Sequence, residues 1–178
     1  MAILASGCGR SANVDATDGE KAADVEILNV ALGQELTTIE AYQRSLPLLR
    51  GKALVVGRQL RGQDQAHVDA LTKAIRGLGG ETDTEAGELE EPGPRDQSEA
   101  LTLAYEEENA ALAETLDAAS HLQTSAPRAL APVLAASHAQ HLVLLRQALG
   151  SGQAASVPGP YDSGEIPPPT SGGSKASK

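Results

Sequence analysis

The stretch 134–150, "LAASHAQHLVLLRQALG", decides how this chain is read. Leu134, His138, His141, Leu145 and Ala148 follow one another at intervals of 4, 3, 4 and 3, the spacing of one face of an α-helix. That face is aliphatic at both ends and carries two imidazoles in the middle. A stripe meant for a core holds titratable rings only where other polar groups meet them inside.

The rest of the composition agrees with a helical core. The 178 residues include no Phe, no Trp and three Tyr, so a core must be built from Leu, Ala, Val and Ile. Such residues suit helix–helix packing better than a sheet, which favours aromatic and β-branched side chains. The net charge of −10 argues against nucleic acid, whose phosphates need clustered Lys and Arg. No run reaches the ~18 apolar residues needed to span a bilayer. There is no glycine-rich phosphate loop and no nucleophile elbow, which argues against nucleotide-dependent and hydrolytic chemistry.

Four periodic segments are expected: Ala22 to about Ser45, Gly51 to Leu78, Asp96 to Leu122, and Ala126 to Leu149. Asp24 is the expected cap of the first, Gly79-Gly80 stops the second, and Pro127 and Gly150 bracket the fourth, whose early turns Pro132 should delay or bend. The connection 80–95, "GETDTEAGELEEPGPR", is longer than the other two. Short links make antiparallel neighbours, so the pattern predicts an all-α, antiparallel, ferritin-like four-helix bundle of two hairpins joined by a longer crossover. Residues 22–150 form this domain. Residues 1–21 are expected to be a lipobox remnant and flexible tether, and 151–178 a disordered Pro/Gly/Ser-rich tail.

Each helix has an interruption in its apolar stripe. The first runs Leu28, Leu32, Glu35, Ile39, Tyr42; the second Leu60, Asp64, His67, Leu71, Ala74, Leu78. The third runs Leu101, Ala104, Glu108, Leu112, Thr115, Ala119, and the fourth holds His138 and His141. Unpaired charges buried in this way cost several kcal/mol each, and a divalent metal removes that cost. Asp64 with His67, and His138 with His141, stand three apart on one helix face and can reach a common centre. The pattern also repeats: Glu35 to His67 spans 32 residues and Glu108 to His141 spans 33. His121 falls at the end of its helix and reads as a partner of the C-terminal dipole. Tyr42 and Tyr105 read as packed rings with hydroxyls near polar neighbours, and Glu106 and Glu107 as solvated.

From "DVEILNVALGQELTTIEAY" to "HAQHLVLLRQALG" the sequence resembles the bacterial ferritin-like family. In that superfamily two metals are held by one Glu from each of two helices and a Glu-x-x-His pair from each of the others. The resemblance implies that Glu35 and Glu108 match the single glutamates and that His67 and His141 match the histidines. Asp64 and His138 stand where the pattern has Glu. The implied metal ligands are therefore Glu35, Asp64, His67, Glu108, His138 and His141. The implied cofactor is iron, as a di-iron or mononuclear centre; the added nitrogen favours zinc or copper, and manganese is a further candidate. The alternative is a metal-free bundle serving as a structural or interaction module, its histidines hydrogen-bonded to Glu108 and Glu35. A closed storage cage is disfavoured, while a homodimer through exposed helix faces fits either reading.

The one cysteine lies in "ILASGCGR", where Leu4-Ala5-Ser6-Gly7 precede Cys8. This is similar to the lipobox of bacterial lipoproteins, in which the cysteine is lipidated and becomes the mature N-terminus. Only Met1 to Ala5 precede the motif, against an export signal's apolar stretch of ~7–15 residues, so either the true start lies upstream or the sequence is a shortened form; the alternative is an incidental cysteine near a cytoplasmic N-terminus. The implied location is the extracytoplasmic face of a bacterial membrane, reached through lipid on Cys8.

Overall fold

The computed structural model describes residues 16–89 and 92–151. Its helices are α1 (Asp18–Ser45), α2 (Gly51–Gly77), α3 (Gln97–His121) and α4 (Ser125–Ala148), and there is no strand among the described residues. Cys8 and the tail beyond Ser151 lie outside them. Helix α1 starts earlier than expected, so residues 18–21 belong to the bundle and not to a tether. The cause is a capping box: Thr17 Oγ1 accepts from the Glu20 amide at 3.2 Å, and Glu20 returns a bond to the Thr17 amide at 2.7 Å.

Asp24 accordingly does not cap α1. It is fully buried on that helix and accepts from the amides of Gln123 and Thr124, each at 2.8 Å. Thr124 is the N-cap residue of α4 and makes no side-chain cap of its own. A carboxylate from a neighbouring helix thus serves the amino end of α4, where the helix dipole favours negative charge. At the other end of α2 the expected stop is a Schellman turn. Gly79 takes a positive φ of 83°, and its amide reaches the Arg76 carbonyl while that of Gly80 reaches Ile75. A Cβ on Gly80 would come within 2.5 Å of Val25, so the second glycine is there for space. Pro132 is exposed, and α4 continues through it.

The crossover climbs along α1. The Asn29 side chain bonds Glu81 and Asp83, and the Gly87 amide donates to Thr37 Oγ1 two turns further on. The chain then enters α3 beside the first hairpin turn, where the Arg50 amide meets Gln97. Helices α2 and α3 therefore run the same way, each hairpin is antiparallel, and the order around the bundle is α1, α2, α4, α3.

Two apolar clusters fill the bundle. One contains Tyr42, Leu60, Leu101, Tyr105 and Leu142; the other contains Leu28, Leu32, Leu71, Ile75 and Leu134. Each fully buried leucine contributes about 1.5–3 kcal/mol. On α2 the buried position is Ile75 and not the expected Ala74, which is half-buried. A straight helix drifts against a 3.5-residue repeat, so a stripe written at alternating threes and fours slips by one over several turns. Between the two clusters lies a polar layer.

Candidate metal centre

Six side chains make that layer: Glu35 from α1, Asp64 and His67 from α2, Glu108 from α3, His138 and His141 from α4. All six expected positions converge. Each sits at mid-helix, so backbone amides and carbonyls are engaged within the helices and cannot satisfy them. His138 lies at the centre, with Nδ1 at 2.8 Å from Glu108 Oε2 and Nε2 at 2.9 Å from Glu35 Oε1. His141 Nδ1 is 2.9 Å from Glu108 Oε1 and 3.4 Å from Asp64 Oδ1. Its Nε2 faces Gln63 Oε1 at 2.8 Å. The Tyr42 hydroxyl donates to Glu108 Oε1 at 2.7 Å. His67 Nδ1 lies 3.3 Å from Glu35 Oε1 and 3.7 Å from Asp64 Oδ1.

These contacts set protonation. A neutral imidazole has one donor and one acceptor nitrogen, yet both nitrogens of His138 face carboxylates, so it is an imidazolium in the metal-free protein. Burial pulls its pKa down, but the bonds to Glu108 and Glu35 outweigh that and raise it to about 10. His141 behaves alike: burial is overcome by Asp64 and Glu108, and its pKa rises to about 9. For Glu108, burial is overcome by the two imidazoles, which hold it at about 2, and Glu35 is lowered in the same way by His138 and His67. Asp64 differs. Burial dominates there and, with Glu108 and Glu35 nearby, lifts it to about 6 against the pull of His141. Protons thus hold the centre together where a cation would.

That satisfaction is incomplete. Glu35 Oε2, both oxygens of Asp64 and His67 Nδ1 are buried without a hydrogen-bond partner. A buried unsatisfied donor or acceptor costs about 1–3 kcal/mol, more when charged. Two sets of four donors lie close enough to share an ion: Glu35, Asp64, His67 and His138, and Asp64, Glu108, His138 and His141. Within each set the ligand atoms fall within 4.8 Å of one another. The chemistry of the donors and the orphaned atoms both fit a divalent metal of borderline hardness.

Two contributors were not legible in the sequence. Gln63 is an exposed residue beside Asp64 that turns its amide inward to His141, and Ser137 Oγ lies 3.3 Å from the same Nε2. Gln63 immediately precedes Asp64 and is not one of the stripe positions read from the sequence. Glu107, expected to be solvated, is half-buried and accepts from Gln34 at 3.1 Å. His121 is at the exposed end of α3, 3.0 Å from the Asp117 carbonyl, as its position implied.

An antiparallel four-helix bundle with one long crossover and a polar layer across its middle is the ferritin-like architecture. Residues 23–151 match the ferritin-like domain family, and the chain belongs to that family. Its fold is similar to that of a conserved hypothetical protein from Mycobacterium tuberculosis, 21% identical, with a TM-score of 0.68 over 75% of this chain and 94% of the other. It is also similar to a ferritin-like, di-iron-carboxylate protein from Bacillus anthracis, 20% identical, with a TM-score of 0.62 over 74% of this chain and 98% of that one. At such identities the likeness is one of fold. No match is found among curated proteins.

Proposed function

We propose that the chain is a metal-binding ferritin-like protein of the bacterial cell envelope, anchored to the outer face of the membrane by lipid on Cys8. The observation that supports metal binding is the set of unpartnered buried atoms on Glu35, Asp64 and His67, in the layer where the family places its metals. Bound iron supplies one-electron chemistry with oxygen or peroxide, and zinc, copper or manganese are the other candidates. The chain's own part is to hold, shield and deprotonate. His138 Nε2 must give up its proton before it can ligate, so metal uptake releases protons and weakens as pH falls. The layer lies nearest the surface at the seam between α2 and α4, the least extensive of the four contacts between neighbouring helices. There His67 is 8% exposed and Gln63 covers His141.

The lipid reading rests on the residues around Cys8 alone, and among the described residues no helix is long and apolar enough to cross a membrane. The metal-free alternative draws on the completed hydrogen bonds of Glu108, His138 and His141. One experiment separates the two. The full chain is reconstituted without oxygen with Fe(II), Zn(II), Cu(II) or Mn(II), desalted and analysed, beside an Asp64→Asn/His67→Gln variant of equal helicity. Stoichiometric metal in the first and none in the second supports the metal reading, while none in either leaves the bundle as a structural module. Metabolic labelling with a radioactive fatty acid, lost in Cys8→Ser, tests the anchor.

A further inference from the structure

The two halves of the centre are unequal, and the inequality bears on how many ions it takes. All four orphaned atoms of the layer belong to Glu35, Asp64 and His67, on α1 and α2. On the other side nothing is spare. Glu108 Oε1 accepts from Tyr42 at 2.7 Å and from His141 at 2.9 Å, and its Oε2 accepts from His138 at 2.8 Å. His141 uses its remaining nitrogen on Gln63. The free oxygens within reach of that second half are those of Asp64, which the first half shares.

We infer that the chain binds one divalent ion, not two, with Glu35, Asp64, His67 and the Nε2 of His138 as its ligands. This rests on the metal reading above. In the bound state His138 keeps the Nδ1–H that it donates to Glu108. Glu108 becomes the outer carboxylate that fixes the tautomer and aim of a metal-bound imidazole. Tyr42 and His141 hold Glu108 in turn, so they are positioning residues and not ligands. The half that the family pattern uses for a second metal has become the support of the first.

Charge reaches the same count. Glu35, Asp64 and Glu108 carry three negative charges, all buried. One divalent ion leaves no positive excess over them. Two divalent ions would bring four positive charges against those three, and the excess would be buried away from bulk solvent. With Glu in place of His138 a fourth carboxylate would balance two ions; this chain has an imidazole there. The donor set, two imidazole nitrogens and two carboxylates at one point, suits a four-coordinate ion of borderline hardness.

The test is titration of the metal-free full chain with Zn(II) by calorimetry, repeated with Co(II) as a coloured probe. One ion per chain is expected. His67→Gln and Asp64→Asn should each abolish retention after desalting. Glu108→Gln should keep one ion with about 10–100-fold weaker affinity, and His141→Gln should also keep one. Circular dichroism confirms that each variant is folded, and the wild-type stoichiometry stands without them. Two ions per chain would overturn the inference and leave the metal reading standing, as would loss of binding in His141→Gln equal to that in His67→Gln. No ion bound by the folded wild type would overturn both.

Discussion

Helices α1 and α2 bring Glu35, Asp64 and His67 to the centre with four buried atoms unpartnered, whereas α3 and α4 bring Glu108, His138 and His141 with every ring nitrogen and carboxylate oxygen bonded. The hairpins have the same topology and nearly the same spacing, 32 residues against 33. The difference traces to one position. His138 puts an imidazole where the repeat would place an acid, and a ring with two nitrogens can bond a carboxylate on each side. One half was thereby closed with hydrogen bonds and the other left open. The closed half is a stabilising network, and the open half is a set of desolvated donors that destabilises the metal-free fold.

The most forceful way to break the comparison is His138→Leu. It strands Glu35 and Glu108 without their shared cation, and loss of one partner of a buried ion pair costs about 3–5 kcal/mol. Urea unfolding in the presence of a chelator measures it. Next comes pH, followed on the same metal-free chain. His138 and His141 have folded pKa values of about 10 and about 9, above the ordinary histidine value near 6.5. Their contribution is complete below about pH 6.5 and is lost as pH rises through 9 to 10. Glu108 and Glu35 are lowered, so their share is present above about 4.5 and fades as pH falls, for Glu108 toward about 2. Asp64, raised to about 6, works the other way on the acid side, its share being present below about 3.8 and gone by about 6. The unfolding midpoint should therefore fall steeply on the alkaline side, and His138→Leu should flatten that limb.

Tyr42→Phe removes one bond to a charged acceptor from the closed half and should cost about 1.5–3 kcal/mol, read from the same denaturation curves. Asp64→Asn sharpens the contrast by its sign. It removes a buried carboxylate with no hydrogen-bond partner, so the metal-free protein should gain about 1–3 kcal/mol while metal retention is lost. A stabilised variant that still held metal would contradict the asymmetry. Smallest is Asp24→Ala, far from the layer, which uncaps α4 and should cost about 1–2 kcal/mol without changing metal binding.

Much of this was legible because helical spacing is a strong local signal. Leu134, His138, His141 and Leu145 stand on one face whatever packs against it, and their counterparts on the other three helices follow the same rule. The long link 80–95 implied the crossover, and the six polar positions at mid-stripe implied a common centre. What spacing does not carry is rotamer and reach. Gln63 lies off the stripe, yet its side chain is long enough to fold back to His141. Asp24 read as a local cap because Asp before an apolar run usually is one, but Thr17 and Glu20 had already capped α1, leaving Asp24 for the N-cap residue of α4, one hundred residues on.

The sequence by itself determined an all-α bundle with a polar layer of three carboxylates and three imidazoles, because helix periodicity and apolar patterning are set residue by residue. It did not determine how those six groups share one another. That was decided by tertiary structure, since a carboxylate or imidazole is satisfied only by what other helices bring within about 3 Å of it, and only the assembled bundle shows His138 reaching both glutamates while Asp64 makes no hydrogen bond.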